Sequence, residues 1–286
     1  VECLLLDKSS VVSAITNYPS HMTFFSTSER LELGGVPFTS VADKPTRREA
    51  LKYYHRIVRH FDLNVRQYHT VEAIERTPTG FHLQVSVRNG ETRNYNAANV
   101  VIATGYLDTP CLLNVPGEEL EKVSHYYREG APFFGQNCVV IGGGMSADVV
   151  ELVLHRWGAR VTLVHFAEAL DPGVKPWILP DMLGRIRDHA IGVRFGSRVI
   201  EIREKSVLIQ SEPAASVEEL PNDWVFAMTG YRPDPGLLRS LGVQIDEQTG
   251  IPCYDPATMQ TNQPGVFISG VIAAGHNANK IFIENG

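Results

Sequence analysis

The chain has 286 residues, enough for about two domains of ordinary size. Hydrophobic residues make up 43% of it and charged residues 20%, a balance typical of a globular protein that excludes disorder over most of the length. The formal net charge is −6 and no basic cluster is present, so nucleic acid and membrane surfaces are excluded as expected partners. No apolar stretch reaches the roughly 18 residues of a membrane-spanning helix, and we expect a cytoplasmic protein.

The four cysteines are too few and too scattered for a disulfide framework; they are Cys3, Cys111, Cys138 and Cys253. None of them forms a Cys-x-x-Cys pair, so neither a local dithiol redox centre nor a metal site is predicted. Cys111 and Cys253 each follow a proline in a predicted loop, where no activating base or helix N-terminus is recognisable. We therefore assign the cysteines no role in the chemistry.

In chain order, Leu4 to Leu6 read as a short buried strand that ends at Asp7, and residues 17–38 read as an aromatic loop. Thr46 and Glu49 have the spacing of a capping box, which predicts a helix of about four turns after Pro45. Helical spacing then predicts a buried face formed by Ala50, Leu51, Tyr54, Val58 and Phe61.

Short strands are predicted at 71–74, 81–87 and 92–95, with Asn89-Gly90 as a tight turn, and together they predict an antiparallel meander. A buried strand at 100–103 then runs into Thr104-Gly105. Further along, a strand at 138–141, a helix at 145–157 and a strand at 161–164 predict a βαβ unit and a parallel sheet. Later strands are predicted at 193–195, 207–210, 224–228 and 266–268, and a helix at 276–285.

The motif Gly142-Gly143-Gly144-Met145-Ser146-Ala147 fits G-x-G-x-x-A and lies between the strand and the helix of the βαβ unit. Gly142 allows the tight turn, Gly144 lets backbone N–H groups approach a diphosphate, and Ala147 allows close helix–strand packing. A bulky side chain at 144 is expected to block the diphosphate and to fill the space between helix and strand. The motif therefore predicts a dinucleotide site.

The strand that closes the unit ends at Val164-His165-Phe166, where an NAD site usually places an acid on the ribose 2′-hydroxyl. Because that acid is missing, NADPH is favoured over NADH. His165 and Lys175 are candidate cations for its 2′-phosphate, and Arg185 and Arg187 are weaker candidates. At a strand end a lone histidine such as His165 is slightly more often structural than a ligand, and a solvated role for Lys175 is about equally consistent with the sequence.

Three strand-to-glycine junctions accompany this motif, at 103–105, 228–234 and 264–270. With that arrangement the chain resembles the thioredoxin reductase-like flavoproteins, pyridine nucleotide-disulfide oxidoreductases that have two dinucleotide-binding domains. Within this group it is most similar to the bacillithiol disulfide reductase branch. Further segments carry the resemblance, namely Asn17-Tyr18-Pro19, Phe24-Phe25-Ser26-Thr27-Ser28, Gly35-Val36-Pro37-Phe38, Lys175-Pro176-Trp177-Ile178-Leu179-Pro180, Val225-Phe226-Ala227-Met228 and Ile281-Phe282-Ile283-Glu284-Asn285-Gly286.

The resemblance implies an α/β fold with two Rossmann-like domains, each with a parallel sheet and a small antiparallel meander. A split FAD domain is expected at 1–125 and 236–286, with an inserted NADPH domain at 126–235. Hydride is expected to pass from NADPH to FAD and on to a low-molecular-weight disulfide, the expected small-molecule partner. A homo-oligomer is left open, and no catalytic acid or nucleophile is identified.

The resemblance also places FAD contacts on several residues, namely Asp7, Val71, Ala103, Thr104, Gly105, Gly270 and Val271. Asn277, Asn279 and Glu284 are expected near the flavin, or else to serve as helix caps and surface contacts. The first glycine-rich loop of the family would precede Val1, and the chains of that family continue past the position of residue 286. The chain is therefore expected to be a fragment with an exposed edge beside Leu4 to Leu6 and with weak or no FAD binding. About 30 further N-terminal residues are expected to restore a yellow protein.

Two departures from the pattern of the branch leave the nucleotide preference and the electron acceptor open. Phe166 stands where the branch often has an arginine suited to a 2′-phosphate. Because a dithiol is lacking, a ferredoxin or flavodoxin reductase of the same architecture is an alternative, and the third possibility is an inactive NADP(H)-binding module. A flavin monooxygenase is disfavoured, because the F-x-G-x-x-x-H pattern is not found.

Overall fold

The computed structural model describes residues 2–277 and 281–285. Its α-helices are α1 (Ser13–Thr16), α2 (Arg47–His60), α3 (Met145–Arg156), α4 (Leu179–Arg187) and α5 (Gly236–Ser240), with 3₁₀ turns at Ser28–Leu31, Ala131–Phe133 and Gly270–Ala274. Its strands are β1 (Leu5–Asp7), β2 (Val65–Gln67), β3 (His69–Thr77), β4 (Gly80–Val87), β5 (Thr92–Ala97), β6 (Val100–Ile102), β7 (Val123–Ser124), β8 (Asn137–Ile141), β9 (Arg160–Val164), β10 (Gly192–Arg194), β11 (Ser197–Ile202), β12 (Ser206–Ser211), β13 (Ser216–Pro221), β14 (Trp224–Ala227) and β15 (Val266–Ile268).

The chain forms two compact units. The first comprises Val1–Thr109 and Tyr231–Gly286, and the second is Pro110–Gly230. In chain order the second unit therefore falls between two segments of the first, and both boundaries precede the expected positions after residues 125 and 235. Which nucleotide each unit binds stays a prediction.

The first unit combines parallel and antiparallel strand pairs. β1 pairs with β2 and β15 pairs with β6, both in parallel, while β3, β4 and β5 form the predicted antiparallel meander. At the β4–β5 turn Gly90 has φ +90° and its N–H donates to the Val87 carbonyl, so the predicted Asn-Gly turn is confirmed. In the described part of the chain β1 pairs on one edge only, and Leu5 is exposed there.

Helix α2 begins with the predicted capping box. Thr46 Oγ1 accepts from the Glu49 backbone N–H, and the Glu49 carboxylate accepts from the Thr46 N–H. The predicted buried face was partly wrong, because Phe61 is 45% exposed whereas Tyr53 and Ile57 are buried. The difference arises from residues 17–38, which were expected to be an irregular loop. This segment includes a 3₁₀ turn, and its Phe38 stacks on Tyr53 with ring centroids 4.2 Å apart.

The second unit contains a five-stranded parallel sheet in the order β10-β9-β8-β14-β7. The predicted β8–α3–β9 unit is confirmed. Its two strands are neighbours within this sheet, and β8 is the central strand. A separate antiparallel sheet joins β11, β12 and β13. Sequence patterns missed β13, because its residues are mostly exposed and polar and so lack the alternation of a half-buried strand.

Near the C-terminus the prediction of a helix over 276–285 is wrong for the residues that the structure describes. Residues 281–285 form a turn, in which the Asn285 side chain accepts from the Phe282 N–H and the Asn285 N–H donates to the Phe282 carbonyl. This local pairing replaces helical hydrogen bonds.

No helix in the described ranges, 2–277 and 281–285, is long and apolar enough to span a membrane.

Candidate nucleotide-binding sites

The loop from β8 to α3 has the geometry expected of a diphosphate cradle. Gly142 has φ +141°, a conformation that other residues rarely adopt, and Gly144 is the N-cap of α3. Because Gly144 has no side chain to cap the helix, the first backbone N–H groups of α3 receive no N-cap side-chain bond. The side chains of Met145, Ser146 and Ala147 lie outside the description, so the packing expected of Ala147 stays a prediction.

The two following glycines are constrained for different reasons. A Cβ atom on Gly143 would lie 2.3 Å from His165 Nε2, so only glycine fits above that ring. A Cβ atom on Gly144 would have Asp171 Oδ2 as its nearest neighbour, at 4.0 Å. Among the described residues the space beside Gly144 is open, and the expectation that a side chain at 144 would fill the space between helix and strand stays a prediction. Such an open cradle fits a bound diphosphate.

His165 lies beneath this loop at the end of β9. The residue is 6% exposed, its N–H donates to the Arg194 carbonyl and its carbonyl accepts from the Ser197 N–H. In the described part of the chain its Nδ1 atom has no hydrogen-bond partner. Burial lowers the pKa of His165, with Asp171 opposing and Arg198 adding to the shift. The imidazole is therefore neutral at pH 7 and supports the loop; its contact with a 2′-phosphate stays a prediction.

The lowered pKa of His165 predicts a pH-dependent stability of the second unit. Below about pH 6.5, the ordinary histidine pKa, the unfolded chain binds a proton at His165 that the folded protein does not bind. The free energy of unfolding therefore falls as the pH decreases. Urea unfolding at pH 7.5 and 5.5 measures this loss, and we expect it to be smaller in His165→Gln. His189→Asn, at an exposed histidine, is the matched control and should retain the wild-type loss. Equal losses in all three proteins would contradict the prediction.

The other cationic candidates lie further along the same unit. Lys175 is half-buried in the loop before α4, where its carbonyl accepts from the Ile178 and Leu179 N–H groups. Arg185 pairs with Asp181 at 3.2 Å and Arg187 with Asp188 at 3.1 Å. A role of Lys175, Arg185 or Arg187 in binding the 2′-phosphate stays a prediction.

In the first unit, two glycine junctions meet at one sheet edge. β6 and β15 are parallel neighbours in register, Ile102 with Ile268, so Gly105 and Gly270 follow the carboxyl ends of adjacent strands. Both glycines have positive φ, +71° and +74°, and no atom of the described residues lies within 4 Å of a Cβ atom built on either. Ala103 and Thr104 are exposed, and Val271 is half-buried. This open edge fits a nucleotide cofactor such as FAD.

The remaining predicted FAD contacts belong to the same unit. Asp7 ends β1, and its Oδ1 accepts from the Ser9 N–H at 2.8 Å. Val71 is half-buried on β3 and packs against the core that contains Val85 and Val266. Asn277 and Glu284 are exposed, and Asn279 lies outside the described residues.

Comparison with known proteins places this arrangement in a family. Residues 1–270 match the family described as pyridine nucleotide-disulphide oxidoreductase. The chain belongs to that family. It is therefore an NAD(P)H-dependent flavoprotein oxidoreductase, and the family expected from its motifs is confirmed.

Three relatives illustrate the similarity. Bacilliredoxin reductase Bdr of Bacillus subtilis (strain 168) is 44% identical over 287 residues, which cover 100% of this chain and 87% of the relative. The bacillithiol disulfide reductase Bdr of Bacillus cereus superposes with a TM-score of 0.97 at 45% identity, over 100% of this chain and 87% of the other. The protein of that name from Staphylococcus aureus gives 0.93 at 38% identity, over 99% and 86%. These matches confirm the expected α/β fold class.

Proposed function

We propose that this family member uses NADPH and FAD to reduce a low-molecular-weight disulfide of the bacillithiol disulfide type. In the overall reaction one disulfide, one NADPH and one proton give two thiols and NADP⁺. When bound, the flavin would supply the redox chemistry between nucleotide and disulfide. The names and identities of the Bacillus cereus and Staphylococcus aureus relatives, each a bacillithiol disulfide reductase, support the substrate class.

The observation that carries the proposal is the open cradle of the β8–α3 loop. Gly142 turns the chain, Gly144 leaves room for phosphate oxygens, and the N-terminus of α3 offers N–H groups and the positive end of its dipole. His165 fixes the loop from below by contact with Gly143. The chain's own contribution in the second unit is therefore to bind and orient the dinucleotide.

At the first unit's glycine edge, the proposed FAD contacts are Ala103, Thr104, Gly105, Gly270 and Val271. Asp7 is proposed to accept a hydrogen bond from a ribose hydroxyl, since its Oδ2 has no contact in the turn with Ser9 and its Oδ1 can accept a second donor. Val71 is proposed to lie beside the adenine.

Turnover and nucleotide titration test the proposal together. We expect NADPH to bind more tightly than NADH, and we expect NADPH oxidation, with FAD supplied, to depend on an added low-molecular-weight disulfide. Ferredoxin, which accepts single electrons, is the comparison acceptor. Equal or tighter NADH binding would contradict the NADPH assignment, and turnover with ferredoxin but not with the disulfide would contradict the substrate assignment.

The cysteines give a further prediction. Burial raises the pKa of the Cys138 thiol to about 12, and all four cysteines are free thiols. The Cys111→Ser, Cys253→Ser double variant, loaded with FAD, is expected to have its flavin bleached by NADPH at a rate within about twofold of the parent protein, because the sequence shows no activating base or helix N-terminus beside either cysteine. Cys138→Ser is the control at a buried cysteine: it should lower the free energy of unfolding and leave the bleaching rate unchanged. Loss of bleaching in a folded double variant would reveal a redox role for one of the two thiols.

A further inference from the structure

Arg198 of β11 lies over the ring of Phe166, two residues after the end of β9. Phe166 is 59% exposed immediately after the buried His165, and the Arg198 guanidinium carbon lies 4.8 Å from the centroid of its ring. The His165 ring, in turn, lies 4.7 Å from the Phe166 ring and touches Gly143 of the β8–α3 loop. Arg198 is thus connected to the proposed dinucleotide loop through two adjacent aromatic rings.

Backbone hydrogen bonds fix this placement. The Ser197 N–H donates to the His165 carbonyl at 3.0 Å, and the Gly196 N–H donates to the Ala167 carbonyl at 2.9 Å. The start of β11 is therefore tied to the segment on both sides of Phe166. Arg198, the next residue of β11, is held beside the end of β9 by main-chain geometry rather than by its side chain alone.

Arg198 also differs from its neighbours in how its charge is paired. Arg194 makes two 2.7 Å bonds to the Glu218 carboxylate, and Arg203 donates to Glu201 at 2.8 Å. The carboxylate contact of Arg198 is an ion pair with Glu212 at 3.8 Å, longer than a hydrogen bond, and both side chains are more than half exposed. A pair this loose and solvated is worth little, so an incoming dianion can displace it.

We propose that Arg198, presented on the face of Phe166, binds the 2′-phosphate of NADPH and sets the preference for NADPH over NADH. The inference rests on the proposed dinucleotide site of the β8–α3 loop. A planar guanidinium suits both tasks, because it stacks on an aromatic ring and still offers paired N–H donors to phosphate. Phe166 acts as a positioning residue, and no carboxylate ends β9 to repel the phosphate.

Calorimetric titration of the full chain with NADPH and with NADH tests the proposal. Arg198→Ala is expected to weaken NADPH binding roughly 10- to 100-fold, the usual range for a lost charge-assisted bond, and to leave NADH binding within about twofold. Arg198→Lys should recover part of the loss, because it restores charge without the planar stack. Phe166→Leu should lower NADPH affinity by a few fold through loss of the ring face. Arg203→Ala, at an exposed and paired arginine in the turn between β11 and β12, should change neither affinity.

The outcomes separate the inference from the function on which it rests. Wild-type preference for NADPH that persists in Arg198→Ala would overturn the inference and leave the dinucleotide site intact. Equal loss of both nucleotides in Arg198→Ala would also overturn it, since that pattern indicates a structural role. Failure of the wild-type chain to bind either nucleotide would instead overturn the proposed site, and the inference with it.

Discussion

Gly144→Val is expected to abolish measurable NADPH binding while the second unit remains folded. Gly144 has φ −97° and ψ 176°, an extended conformation that valine adopts readily, and no described atom lies nearer than 4.0 Å to a Cβ atom there. The added Cβ atom therefore clashes with none of the described residues. It would instead project into the open space at the start of α3, where the diphosphate is proposed to bind. We expect affinity to fall roughly 100-fold or more, because the backbone donors of the helix N-terminus are shielded.

Titration with NADPH and thermal unfolding of the same samples measure the two effects separately. Gly184→Val is the matched control, because a Cβ atom on Gly184 of α4 also has no neighbour within 4 Å, and it lies outside the loop. The control should bind NADPH like the wild type. Normal binding by Gly144→Val would show that the loop does not hold the diphosphate.

The parts of the fold that sequence patterns predicted correctly depend on local signals. The capping box of Thr46 and Glu49, the Asn89-Gly90 turn and the glycine motif at 142–147 are each specified within six residues. Chain neighbours alone determine the hydrogen bonds of the capping box and of the turn, and so these two patterns transfer directly to structure. The meander and the β8–α3–β9 unit were predicted from strand and helix patterns, which also lie within short stretches of the chain.

What sequence reasoning missed depends on contacts between distant segments. The helical spacing of α2 could not show that Phe38 covers Tyr53, which moves the buried face away from Phe61. Likewise, the sequence shows that Phe166 replaces an expected arginine, but no pattern indicates that Arg198 lies over its ring. That arginine comes from another strand, whose position is set by main-chain pairing. The role of Gly143 was missed for the same reason, because it depends on the ring of His165.

Gly143→Ala is expected to destabilise the second unit, in contrast to Gly144→Val. An added Cβ atom would lie 2.3 to 2.4 Å from three atoms of the His165 imidazole, closer than real contacts allow. The ring is 6% exposed at the end of β9 and cannot move without disturbing the sheet. Overpacking of this kind costs about 1–3 kcal/mol of the free energy of unfolding. Since Trp157, Trp177 and Trp224 all belong to this unit, urea unfolding followed by tryptophan fluorescence reports on it.

A double-mutant cycle with His165→Ala isolates this contact. His165→Ala alone should cost about 2–4 kcal/mol, because it leaves a cavity beneath the loop. In the double variant, the methyl group that Gly143→Ala adds occupies part of that cavity, so the combined cost should be smaller than the sum by about 1–2 kcal/mol. Gly144→Ala paired with His165→Ala is the control and should be additive, since no His165 atom lies within 4 Å of a Cβ atom on Gly144. An additive Gly143 cycle would contradict the packing of the loop on His165, and with it the route by which β9 positions the proposed nucleotide site.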